Sequence, residues 1–156
     1  MAILLDTTVL SNFTRVKLEY VPQRIWGDQA CVAEEVIEEY QAGLKVGRLP
    51  AFTWTALRVL KPSREEKAFE HTLPQLLGRG ERTSLAVAFN RRAAIATDDA
   101  LARKVAHNLG ISTTGTIGIL QRAVQREILS DSQAQRALDE MIAAGYYSPV
   151  SKLDLD

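Results

Sequence analysis

The chain has 156 residues, 46% apolar and 24% charged, with 19 basic and 19 acidic side chains and no net charge. These proportions predict one ordinary globular domain that buries its core without staples, and a balanced charge argues against tight sequence-blind binding of long duplex DNA. A single cysteine, Cys31, excludes an internal disulfide framework, no run nears the roughly 20 apolar residues of a membrane span, and the N-terminus lacks an export signal, so a cytoplasmic protein is expected.

Ala2-Ile3-Leu4-Leu5 is an apolar run without alternation, which predicts a short strand buried on both faces. Asp6 closes it, and a short helix is expected over Thr8–Val16. Leu18–Trp26 fits no single period. A helix is expected over Ala33–Leu44, with Ala33, Val36, Ile37, Tyr40 and Leu44 forming its apolar stripe. Trp54–Leu60 alternates like a strand. Ser63, with Glu66 at capping-box spacing, opens a helix expected to reach about Leu77 and to be bent or shortened by Pro74.

Gly78-Arg79-Gly80 breaks the chain before a helix expected over Glu81–Arg92. Ala93–Thr97 reads as a second buried strand, Ala100–Leu109 as a helix stopping at Gly110, and Ile111–Thr113 as a further short strand. Helices over Thr116–Ile128 and Ser132–Ala144 close the chain, with Gly145 as a natural stop. Strands separated by helices predict βαβ units and an α/β fold with a mostly parallel sheet.

The acids are placed unevenly. Asp28–Tyr40 holds five acids and no base, whereas Arg79–Lys104 holds six bases and three acids. In a parallel sheet the carboxyl ends of the strands form the active crevice. Asp6 sits at one such end and Asp98-Asp99 at another, and adjacent like charges there call for a compensating cation. One of the two aspartates can also cap the following helix.

Helical phase, at about 100° per residue, puts Glu39 at the margin of its apolar stripe and points Glu35 and Glu38 nearly opposite. Glu81 shares the line of Leu85 and Phe89 and so looks toward the core, while a first-turn acid also suits the helix dipole. Carboxylates without cysteine or histidine select a hard cation such as Mg²⁺ or Mn²⁺, and such a site favours chemistry on phosphate esters.

Leu-Leu-Asp6-Thr-Thr-Val-Leu, Val36 with Glu39-Tyr40, Gly80-Glu81-Arg-Thr-Ser-Leu-Ala and Ala-Thr97-Asp98-Asp99 resemble, in order and spacing, a PIN domain. The later Gly110-Ile111 and Gly115-Thr116-Ile-Gly-Ile-Leu resemble the small prokaryotic branch of that family. The resemblance implies a three-layer α/β/α fold and Mg²⁺- or Mn²⁺-dependent cleavage of single-stranded or structured RNA, leaving a 5′-phosphate. Many relatives are VapC-type toxins held by an antitoxin protein, and many are homodimers.

Carried over residue by residue, Asp6 matches the first family acid and Glu39 the second, with Glu38 its rival. Glu81 takes the third position. Asp99 is the fourth, with Asp98 as a neighbouring ligand and Thr97 as the threonine before them. Thr7 would hydrogen-bond within the cluster. Asp6, Glu81 and Asp99 would hold the metal, and Glu39 a second ion or the attacking water. Arg79, Arg82 and Arg103 are candidate phosphate contacts, as is Thr116 at a helix start, where a capping role is the alternative.

Other chemistries fit poorly. No Gly-x-Ser-x-Gly elbow exists, and Cys31 has only His71 and His107 as potential bases. Thr8 stands where an aspartate-nucleophile phosphatase would carry its second acid. The serious rival is a PIN-fold module that binds RNA or protein without cutting.

Overall fold

The computed structural model describes residues 1–49, 54 and 56–156. Five parallel strands, β1 (Ile3–Leu5), β2 (Ala30–Ala33), β3 (Arg58–Leu60), β4 (Ala94–Ala96) and β5 (Thr113–Thr114), form one sheet in the order β3-β2-β1-β4-β5. The helices are α1 (Thr7–Arg15), α2 (Val21–Trp26), α3 (Glu34–Lys45), α4 (Arg64–Glu70), α5 (Arg79–Arg91), α6 (Ala100–Asn108), α7 (Thr116–Gln125) and α8 (Asp131–Ala143). They complete a three-layer α/β/α architecture. Among the described residues no helix is long and apolar enough to cross a membrane.

β1 is the central strand because all three of its residues are buried, with neighbours on both sides. Chain order runs outward from β1 through β2 to β3, then returns to the other side of β1 at β4. The direction of winding therefore reverses between β1 and β4, and the loops leaving these two strands diverge to open a crevice at their carboxyl ends. Leu5 is in register with Ala96, so the next residues, Asp6 and Thr97, emerge side by side at that crevice. The Asp6 amide extends the ladder by donating to the Ala96 carbonyl at 3.0 Å.

β2 is a correction to the sequence reading, which has no strand between Trp26 and Ala33. Its residues Ala-Cys-Val-Ala include one β-branched side chain, so local propensity is weak. Burial between β1 and β3 makes it a strand all the same. The expected Trp54–Leu60 strand shrinks to Arg58–Leu60; Trp54 is buried outside it, and Thr55 lies outside the described residues. The ambiguous Leu18–Trp26 stretch becomes α2, with Pro22 in the first turn, where its missing N–H costs nothing.

Ser63 forms the expected capping box with Glu66, but α4 ends at Glu70 rather than near Leu77. Thr72 and Leu73 turn back onto Phe69 and Glu70 with 3.0 and 3.1 Å backbone bonds, so the helix stops before Pro74. The strand expected at Ile111–Thr113 is displaced to Thr113–Thr114, because Ala96 is the last residue of β4 and pairs with Thr114.

Glu66 is the principal buried ion of the helical layer. Arg91 on α5 grips it with Nε and Nη2, both at 2.9 Å, and also donates to the Lys61 carbonyl at 2.8 Å. Burial alone would raise the Glu66 carboxyl, but Arg91 and the Ser63 amide outweigh it and hold the group below its ordinary value. The pair thereby fixes α4 to α5. Arg91→Met leaves a buried carboxylate without its cation and is expected to cost about 3 kcal/mol. Urea denaturation at neutral pH should show this as a lower midpoint at unchanged slope, with the deficit shrinking as acid protonates Glu66.

Candidate acidic active site

Asp6 is 1% exposed. Its Oδ2 accepts from the Thr97 hydroxyl at 3.0 Å and from the Thr8 hydroxyl at 3.1 Å. Burial pushes its carboxyl up to about 6 despite these bonds and the Thr7 amide, with Glu39 adding a like-charge contribution. The two hydroxyls fix the direction of the carboxylate without neutralising it.

Glu81 is reached through the start of α5. That helix begins at Arg79, two residues earlier than the glycines imply, with Gly78 as its N-cap. Glu81 Oε2 accepts from the Gly78 amide at 3.1 Å. Burial pushes the carboxyl up to about 7, followed by repulsion from Asp6, Asp99 and Glu39, against the Gly78 bond. Those repulsions place all four acids in one electrostatic neighbourhood. Its expected line with Leu85 and Phe89 holds only in part: Leu85 is fully buried, whereas Phe89 is 44% exposed and stacks on Phe69 with centroids 4.8 Å apart.

Glu39 Oε1 accepts from the Gly80 amide at 2.8 Å, and Oε2 from the Thr7 hydroxyl at 3.3 Å. A Cβ on Gly80 would stand 2.7 Å from Glu39 Oε2 and 3.0 Å from Val36 Cγ2, so any larger residue would push the Glu39 carboxylate out of its present place. Glu38 is exposed and pairs with Arg79 at 3.5 Å, away from this cluster. Glu35 departs from the helical-phase reading. Its side chain is 7% exposed and 4.0 Å from Arg79, because α3 packs on α5 and on α1 as well as on the sheet.

The two adjacent aspartates divide their work. Asp99 caps α6 by accepting from the Ala102 amide at 2.8 Å, and it repels Glu81. Asp98 is committed elsewhere: Oδ1 accepts from the Thr116 amide at 2.8 Å, and Oδ2 from the Thr116 hydroxyl at 2.5 Å and the Asn12 amide at 3.3 Å. Tyr146 adds its hydroxyl at 3.4 Å. Thr116 is fully buried with both polar groups on Asp98, and Gly115 is the N-cap of α7. The expected phosphate contact and the expected cap at Thr116 are both corrected to a buried anchor.

The arginines differ as well. Arg79 pairs with Glu35 and Glu38, and Arg82 binds the Leu77 carbonyl at 2.7 Å and stands 4.0 Å from Glu70. Arg103 is exposed and anchored by one bond to the Thr97 carbonyl at 3.1 Å. Nothing in the sequence signals that Thr8, Asn12 and Tyr146 bind the aspartates. Asn12 lies 86 residues from Asp98 and Tyr146 48 residues from it, and no local pattern carries such a pairing.

Among the described residues no ion pair reaches Asp6, Glu39, Glu81 or Asp99. An all-oxygen donor set with no basic partner has the chemistry of a hard divalent site. As they stand, however, no three or more His, Cys, Asp or Glu among the described residues are arranged to hold a metal ion.

Asp6 and Glu81 hold protons more tightly folded than unfolded. Without divalent cations, stability is therefore expected to fall as pH rises from about 4 through about 6 for Asp6 and about 7 for Glu81. Asp6→Asn removes one of these charges and should stabilise the chelated protein at pH 8 by on the order of 2 kcal/mol. The same variant should give little change at pH 4, as thermal melts at the two pH values would show.

A family model described as a PIN domain matches residues 2–154. No curated protein and no solved structure matches the chain. With the match covering nearly the whole chain and the acids gathered at the switch point of its sheet, the protein belongs to the PIN-domain family, a nuclease-type fold.

Proposed function

We propose that the chain is a divalent-metal-dependent endoribonuclease. The observation that carries this reading is the meeting of two strand-end and two helix-borne carboxylates at one crevice, with no ion pair to any of them among the described residues. Asp6, Glu81 and Asp99 are the residues that would hold Mg²⁺ or Mn²⁺. A bound ion of this kind neutralises phosphoryl oxygens and makes a water a usable nucleophile near neutral pH.

Asp6 is the fixed point, since two hydroxyls hold its carboxylate in place. Glu81 and Asp99 are partly exposed, so closure to ligand distances falls to them. Glu39, tethered by Gly80 and Thr7, is assigned to orienting water or to a second ion. Asp98 acts through position: by binding Thr116, Asn12 and Tyr146 it fixes the backbone from which Asp99 projects.

A module that binds RNA without cutting is the rival reading. Four unpaired acids repel a phosphate backbone, so without a cation they hinder such binding. Incubation of an RNA pool with Mn²⁺ separates the two. The nuclease reading expects cleavage that chelation abolishes and that Asp6→Asn lowers by more than about 100-fold, beyond the usual cost of an outer-shell change. Equal cleavage by both proteins, or none by the wild type, would leave the binding module standing.

Gly80→Ala tests the approach of α3 to α5 separately. Because the nearest obstacle is the end of the flexible Glu39 side chain, the variant should fold. Its cleavage should drop to the level of Glu39→Gln, with a melting temperature within a few degrees of wild type. A toxin role and a homodimer extend the proposal: growth arrest on expression, relieved by an antitoxin encoded beside the gene, tests the first, and sedimentation tests the second.

A further inference from the structure

Two recesses flank the segment Tyr146-Tyr147 beside the acids. One, of about 370 Å³, includes Thr8, Asn12, Arg15, Asp98 and Asp99 in its lining. The other, of about 600 Å³, has Arg103, Thr114, Gly115, Ile117 and Tyr147 among its walls. Asp98 and the two tyrosines line both, so the larger recess adjoins the smaller one, whose wall includes Asp99.

The two tyrosines have different tasks. Tyr146 is partly buried, and its hydroxyl reaches Asp98 at 3.4 Å, which accounts for its place in the fold. Tyr147 is 96% exposed and takes part in no ring contact or hydrogen bond among the described residues. A large aromatic face displayed at the mouth of a recess has no part in folding. Its size and shape suit stacking against another flat ring.

The rim supplies matching charge. Arg103 is exposed and uses Nη1 on the Thr97 carbonyl, which orients the guanidinium and leaves other N–H groups free for a phosphate. Arg15 lines the smaller recess on the other side of Asp98. Cationic groups thus line both recesses that share Asp98, where a phosphate backbone entering them would meet positive charge. The larger volume lies within the range of about 300–1,000 Å³ typical of small-ligand pockets.

We propose that the recess walled by Tyr147 and Arg103 is a subsite for an unpaired nucleobase of single-stranded RNA, with the ring stacked on Tyr147 and the adjoining phosphate on Arg103. This rests on the ribonuclease reading and adds to it the residues that would take the base and its phosphate. A base inside a duplex is already stacked on both sides and cannot reach the tyrosine. One aromatic stack per nucleotide also tolerates any base identity.

The test is binding of a labelled single-stranded RNA oligomer, and of the same sequence in duplex form, in Ca²⁺ to wild type, Tyr147→Ala and Tyr147→Phe. Tyr147→Ala is expected to weaken single-strand binding by about 5- to 100-fold. Tyr147→Phe should stay within about twofold of wild type, since the ring rather than the hydroxyl does the stacking. Duplex binding and the melting temperature should not move. Equal affinity of Tyr147→Ala and wild type overturns the subsite, as does equal loss in Tyr147→Phe. A changed sedimentation coefficient with unchanged affinity overturns it too, and assigns Tyr147 to contact with a second copy. Cleavage in Mn²⁺ keeps the two readings apart: a wild type that neither binds nor cuts RNA defeats both, whereas normal cutting by Tyr147→Ala defeats the subsite alone.

Discussion

The burial of one carboxylate at the end of the central strand governs the rest of this structure. Asp6 is removed from water because β1 is covered on both faces and flanked on both edges. Hydroxyls from Thr8 and Thr97 satisfy part of its hydrogen-bonding demand, but a hydroxyl is a neutral donor and leaves the charge in place. The unresolved charge raises the Asp6 carboxyl and, through repulsion, contributes to the rise of Glu81. A fold optimised for stability alone would put a neutral residue there. Stability given up at a functional site is a common trade in natural proteins.

Around that point the chain keeps its anchoring contacts apart from the four gathered acids. Every arginine near the acids on α5 is engaged with other groups: Arg79 with Glu35 and Glu38, Arg82 with Glu70 and the Leu77 carbonyl, Arg91 with Glu66. These contacts secure α3, α4 and the loop before α5 without quenching the central negative field. Asp98 performs the corresponding task on the opposite flank, joining α1, α7 and the segment after α8 through Asn12, Thr116 and Tyr146. Two neighbouring aspartates of identical chemistry therefore differ in role because their side chains leave the backbone in different directions.

Much of this was readable before any coordinates. The strand-end positions of Asp6 and of the Asp98-Asp99 pair are legible because apolar runs closed by acids mark strand termini. The choice of Asp99 within the pair rests on the family resemblance, and Glu81 stands out as a first-turn acid on the line of Leu85. Features set by tertiary packing were not. β2 is a strand through its neighbours rather than its composition. Glu35 is buried because α3 packs on several elements at once, which a single-stripe helical reading does not anticipate. Thr116 looked like a free helix start, but its partner Asp98 lies 18 residues upstream. Such pairings depend on how strands align, and β5 itself lies at Thr113–Thr114 rather than at the expected Ile111–Thr113.

The first turn of α5 holds two acids at once, since the Gly78 amide binds Glu81 and the Gly80 amide binds Glu39. Both carboxylates therefore lean on a single stretch of backbone whose N–H groups have no backbone partner within the helix and carry the positive end of its dipole. Alterations in this turn and in either acid would be epistatic rather than additive. A lineage that lost Gly80 would relax the constraint on Glu39 with it, whereas Thr116 and Asn12, which serve the scaffold, would persist.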